Sequence, residues 1–173
     1  MKRAYWPMLA VALVFCAAGA WFGARQFTSG PVAPSAVDAF YSRTMPDASG
    51  TATPMQQWKG RPLVLNFWAT WCAPCVEEMP ELTALQKELQ SKDIQILGIG
   101  IDSPANISTF AARYKIGYPL YVAGMEGSEL SRQLGNQAGG LPFTVLVDAS
   151  GKVKKTYLGR LKMEELRRDI GAM

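Results

Sequence analysis

Two periods of apolar residues alternate along this chain. Residues 63–68, Leu-Val-Leu-Asn-Phe-Trp, are almost continuously apolar, the pattern of a strand buried on both faces. The segment after it predicts a helix over 76–89, in which Leu82, Leu85 and Leu89 recur at helical spacing and Pro80 should remove one backbone hydrogen bond and kink the axis. Further strands are expected over 94–101, 119–122, 143–147 and 152–158, and further helices from Asp102-Ser103-Pro104 to about residue 115, over 127–134 and over 162–170. Turn residues at Pro46-Asp47 and Ser49-Gly50 suggest a small hairpin within 40–53. Gly135 to Gly140 reads as a loop, and Asp148-Ala149-Ser150-Gly151 as a turn that makes the last strand antiparallel. Strands alternating with helices, then a hairpin and a closing helix, give an α/β class with a mixed central sheet flanked by helices.

The start of the chain follows neither period. Lys2 and Arg3 precede an uncharged stretch of 21 residues ended by Arg25, close to the length that spans a bilayer as a helix. Positive charge before the stretch would keep that end in the cytoplasm and direct the remainder outward. Ala18-Gly19-Ala20 also resembles a signal peptidase site, so residues 1–25 read either as an uncleaved anchor or as a removed signal. Trp21 and Phe22 extend the apolar run past that site and favour the anchor. Cys16 fits a plain apolar residue in the span better than a lipidation site, since Phe15 stands where a small residue would be expected. Residues 26–36, rich in Ser, Gly, Pro and Ala, form a tether, and a domain follows over 37–173.

The formal charge of +4 falls close to neutrality once Lys2, Arg3 and Arg25 are set aside, so nothing points to nucleic acid. The basic residues of the last third, from Lys152 to Arg168, read as a solvated strand edge and helix face. Beyond Cys16 the only cysteines are Cys72 and Cys75, too few and too close for a disulfide-stapled domain. Placed between a buried strand and a helix, Cys72 stands at a helix N-terminus. There, unpaired N–H groups and the helix dipole favour a thiolate, and the pair points to thiol-disulfide chemistry.

The stretch Asn66-Phe67-Trp68-Ala69-Thr70-Trp71-Cys72-Ala73-Pro74-Cys75, together with Leu141-Pro142-Phe143-Thr144 ahead of a late strand, resembles the thioredoxin superfamily. In detail it is similar to the membrane-anchored TlpA and ResA-like branch of thiol-disulfide oxidoreductases. The resemblance covers residues 37–173 and implies a thioredoxin-like fold, with the redox-active disulfide Cys72–Cys75 in place of any other cofactor. It implies that an exposed Cys72 attacks a partner disulfide and that a largely buried Cys75 resolves the mixed disulfide. Pro74 would shape the loop near the helix start without breaking the helix, and Ala73 adds neither charge nor bulk. Pro142 matches the family's cis-proline, which would fold its loop beside the cysteines and leave the Leu141 backbone free to pair with substrate. Phe143 departs from the Thr often found in the branch and puts that contact in question.

Glu78 follows Cys75 by about one helical turn, so its carboxylate can handle the proton of the buried thiol. The branch carries a Glu there; the competing reading makes it a surface acid like Glu77 and Glu81. Asn66 replaces the buried acid of cytoplasmic thioredoxins, which shifts proton handling toward Glu78 or leaves a plain hydrogen-bonded amide. Trp68 and Trp71 pack around the site, with Trp71 the better candidate for partner contact, and Lys59 reads as an ordinary turn residue.

The leading expectation is therefore a periplasm-facing, inner-membrane reductase of disulfides in exported proteins such as apocytochrome c. The resemblance implies a membrane thiol-disulfide interchange protein as its electron donor. A disulfide-donating oxidase and a Cu(I) carrier using the same pair remain as alternatives. With no histidine and one cysteine pair, a closed four-ligand zinc site and a Cys-His hydrolase are excluded, so no metal site is assigned. Ala69, where a peroxiredoxin would carry Thr, argues against a peroxidase.

Overall fold

The computed structural model describes residues 35–173, so the expected anchor and nearly all of the expected tether lie outside the described residues. Among the described residues no helix is long and apolar enough to cross a membrane.

The apolar run becomes the central strand β3 (Leu63–Trp68), buried at every position. It pairs in parallel with β4 (Gln95–Gly100) and antiparallel with β6 (Phe143–Val147). Outside these lie β5 (Leu120–Val122), parallel to β4, and β7 (Val153–Leu158), antiparallel to β6, giving the order β5-β4-β3-β6-β7. A separate antiparallel hairpin of β1 (Thr44–Pro46) and β2 (Ala52–Pro54) matches the one expected from the turn residues.

Side-chain alternation along β3 divides the core into two layers. Val64 and Trp68 face α2 (Ala73–Leu89), α3 (Pro104–Arg113) and α5 (Met163–Ile170), with Leu82, Leu85, Ile107, Phe110 and Leu166 filling that side. Leu63, Leu65 and Phe67 face the opposite layer, which takes in α1 (Ala36–Tyr41) and α4 (Gly124–Gln133) through Phe40 and Leu130. Each such aliphatic side chain contributes roughly 1.5–3 kcal/mol by leaving water. The first layer packs so closely on β4 that a Cβ at Gly98 would stand 2.5 Å from Leu120 Cδ2 and 3.2 Å from Trp68 Nε1.

The structure departs from the expected elements at several ends. Helix α1 occupies the place where only a domain start was expected. Its cause is local: Ser35 Oγ accepts from Asp38 N–H while the Asp38 carboxylate accepts from Ser35 N–H, a reciprocal cap. Helix α2 begins at Ala73 rather than 76, because Cys72 already serves as its N-cap residue, and it continues through Pro80, which lies on an exposed face. Helix α4 starts at Gly124, whose φ of +54° turns the chain out of β5, rather than at 127.

Edge strand β7 carries the expected basic residues. Lys155 is not merely solvated, since its Nζ donates to Glu165 at 2.8 Å and to Asp169 at 2.6 Å on α5.

Candidate active site

Strand β3 ends at Trp68, and four residues later the chain enters α2 at Cys72. The connecting turn closes with Cys72 N–H donating to the Ala69 carbonyl at 3.2 Å, and the Cys72 carbonyl accepts from Val76 N–H at 3.1 Å. Cys72 and Cys75 are joined as a disulfide, their Cα atoms 5.3 Å apart. On reduction, the Cys72 sulfur lies against the positive end of a 17-residue helix. Ala73 and Pro74 occupy the exposed first positions of that helix, where a proline's missing N–H leaves no bond unmade.

The expectation of an exposed Cys72 is corrected. Cys72 keeps 6% of its surface and Cys75 none. Cys72, bonded to Cys75, belongs to the buried layer that also holds Trp68 and Ala69, while Trp71 beside it stands 69% exposed. Trp68 instead lies buried in the core, its ring 4.8 Å from that of Phe110.

Glu78, one turn beyond Cys75 on α2, is fully buried and so is not a surface acid. Its Oε1 accepts from Asn66 Nδ2 at 2.9 Å and its Oε2 from Leu161 N–H at 3.0 Å. Burial pushes its carboxyl above the ordinary range; the bonds from Leu161 and Asn66 and the charge of Arg160 pull the other way. Asn66 Nδ2 also donates to Thr144 Oγ1 at 3.0 Å, its register partner on β6, while Asn66 Oδ1 is left without a partner among the described residues. Tyr118, buried nearby, has its phenol pushed up by burial and then by the Glu78 charge. Glu77 and Glu81 are exposed and pair with Arg160, as expected of surface acids.

Phe143 pairs with Phe67 at the C-terminal end of β3, which carries Pro142 to the side of the cysteine turn. The Leu141–Pro142 bond is cis. Pro142 is buried, and its carbonyl accepts from Gly159 N–H at 2.8 Å. The Leu141 N–H and C=O have no hydrogen-bond partner among the described residues. Phe143 turns away into the opposite layer, its ring 5.9 Å from that of Phe67. Lys59 lies in the turn ahead of β3, its Nζ 6.0 Å from the centre of the Tyr41 ring.

Sequence reasoning missed four contributors. Thr144 could have been found from strand alternation, which sets it on the face of Asn66. Asp102 accepts from Thr70 N–H at 3.1 Å, from the Thr70 hydroxyl, and from Ser103 N–H and Asn106 Nδ2 at 2.7 Å each. Burial works against its ionised form, but those bonds prevail and hold its carboxyl below the ordinary range, fixing the 69–72 turn to the start of α3. Arg160 and Leu161 carry no local signal. Beside Trp71 a groove of about 510 Å³ runs between Ile101, Pro104 and Met125. Among the described residues no three His, Cys, Asp or Glu side chains converge to hold a metal ion.

The arrangement can run exchange chemistry: a thiolate-favouring sulfur at a helix start, a second sulfur beneath it, and a buried carboxyl one turn away. Comparison with known proteins agrees. The family described as Redoxin matches residues 28–170. Thiol-disulfide oxidoreductase ResA of Geobacillus thermodenitrificans is 31% identical over 125 residues, covering 72% of this chain and 70% of the relative. Among solved structures, a thiol:disulfide interchange protein of the thioredoxin family from Chlorobium tepidum superposes with a TM-score of 0.64 at 26% identity, over 75% of this chain and 96% of the other. StoA from Bacillus subtilis superposes with a TM-score of 0.59 at 20% identity, over 74% and 95%.

Proposed function

Because this chain belongs to the Redoxin family, in its TlpA/ResA-like branch of thiol-disulfide oxidoreductases, we propose that it works as a reductase of protein disulfides. The Cys72 thiolate attacks one sulfur of a substrate disulfide and expels the other as a thiolate. Cys75, losing its proton to Glu78, attacks the Cys72 sulfur, frees the second substrate thiol and leaves the Cys72–Cys75 disulfide. Two electrons pass from the protein dithiol to the substrate. Trp71, Ala73, Pro74 and Leu141, the last set in place by the buried Pro142, form the surface on which an extended substrate segment lies.

The observation that carries this reading is the buried Glu78 carboxylate, hydrogen-bonded on both oxygens one turn from Cys75. A buried thiol in an apolar layer gives up its proton poorly, and a base on the same helix face answers that need. The low exposure of Cys72 supports selectivity among disulfide partners. Residues 1–25 anchor the chain in the inner membrane with the domain in the periplasm, its substrates are exported proteins such as apocytochrome c, and a membrane thiol-disulfide interchange protein re-reduces it.

Equilibration of the full-length chain in detergent micelles against glutathione and thioredoxin tests the direction. A potential toward thioredoxin, roughly −270 mV, is expected; one toward roughly −120 mV would make the protein a disulfide donor instead.

A further inference from the structure

Three consecutive residues of the β7–α5 turn each hold a different part of the site. Gly159, at φ +88°, gives its N–H to the Pro142 carbonyl at 2.8 Å. Arg160 donates through Nη1 to Glu77 Oε2 at 2.9 Å and through Nη2 to Glu81 Oε1 at 3.4 Å. Leu161 N–H donates to Glu78 Oε2 at 3.0 Å. Glu77 and Glu81 stand one turn apart on α2, so the guanidinium bridges the outer surface of the same turn that carries the buried acid inward.

We propose that this turn is a strap tying the substrate-pairing loop at Pro142 to the proton-handling Glu78, with Arg160 as the positioning residue that fastens it to α2. The proposal rests on the reading of Glu78 as the base for Cys75. Exposed ion pairs contribute little to global stability, and Arg160, Glu77 and Glu81 are each about half exposed. The action of Arg160 is local. It holds Leu161 N–H against the carboxylate, and it offsets the charge of Glu81, which favours the protonated acid. The other groups around Glu78 are Asn66 from β3, Thr144 behind it from β6, Tyr118 ahead of β5, and Cys75 on its own helix. None of them is a cation. Without Arg160, Glu78 keeps its proton to higher pH, and the base that Cys75 needs appears later.

The test uses the reduced full-length chain in detergent micelles with glutathione disulfide. Cys72 expels one glutathione thiol, then Cys75 expels the second, and the rate of that second release is followed against pH. Arg160→Gln should slow it about tenfold near pH 6 but by less than about twofold near pH 9, and Arg160→Lys, which keeps the charge, should recover most of the loss. High salt should narrow the gap between wild type and Arg160→Gln. An Arg160→Gln profile that coincides with wild type, or lies parallel below it at every pH, overturns the strap. Glu78→Gln separates the two claims. If it retains the wild-type acid limb, the base reading fails and the strap with it; if it loses the Glu78 step of that limb while Arg160→Gln matches wild type, the strap alone fails.

Discussion

Replacing Glu78 by Gln removes the carboxylate while keeping its shape, and the surrounding bonds set the size of the effect. Two donors face the carboxylate, Leu161 N–H on one oxygen and Asn66 Nδ2 on the other. A glutamine offers one acceptor and one amino group, so one donor would meet another donor. Asn66 can relieve this by turning its amide over, because its Oδ1 has no partner among the described residues. Turned, it accepts from the new amide and from the Thr144 hydroxyl. The exchange replaces charge-assisted bonds with neutral ones, a loss of roughly 1 kcal/mol, while the desolvation penalty of a buried charge disappears. Stability near neutral pH should therefore stay within about 1 kcal/mol of wild type, a few degrees in Tm for a domain of this size.

The pH dependence has a definite sign. Burial raises the folded-state pKa of Glu78 above its ordinary value of 4.5. The folded chain thus holds this proton more tightly than the unfolded chain. Its contribution to stability is complete below the unfolded value and is lost as pH rises through the folded one. Glu78→Gln lacks that titration, so its Tm minus the wild-type Tm should grow more positive from about pH 4 to about pH 9. Activity should move the other way. Loss of a positioned base should slow the second glutathione release about 100-fold near pH 7 and remove the Glu78 step from the acid limb, leaving only the rise due to thiolate formation at Cys75. Thermal melts and stopped-flow kinetics on the same samples measure both. An unchanged rate near pH 7, or a Tm difference that falls with pH, refutes the assignment.

Trp71→Ala, at a side chain 69% exposed, should leave stability within about 0.5 kcal/mol yet raise KM for a protein disulfide about tenfold, with reaction toward glutathione disulfide little altered. An equal loss with both substrates would mean that Trp71 supports the loop instead of touching partners. Gly98→Ala should lower the urea midpoint by an amount equivalent to about 1–3 kcal/mol, because its Cβ would stand 2.5 Å from Leu120 Cδ2; an unchanged midpoint would mean that the first layer is looser than described.

The centre of the fold was legible because its signals are local. Continuous apolar character from 63 to 68 marked a strand buried on both faces, and leucines at helical spacing marked the helix carrying Cys75 and Glu78. The cap that starts α1 was also local, in Ser35 and Asp38, and was passed over. What the sequence hid comes from distant segments. Leu161 reaches Glu78 from 83 residues away, and Arg160 reaches Glu77 across an equal span. Neither position has a pattern that distinguishes it from any loop residue. The shielding of Cys72 was hidden for a related reason: a helix N-terminus predicts thiolate character, whereas accessibility depends on the tertiary packing of the layer that contains Cys72.

Exchange through Cys72 resolved by Cys75 can be read out by mass spectrometry with peptide mapping of the full-length Cys75→Ala chain after exposure to glutathione disulfide. One persistent glutathione adduct should form, mapping to Cys72 and not to Cys16, with no turnover. An adduct that fails to persist, or continued reduction of glutathione disulfide by this variant, would contradict that exchange.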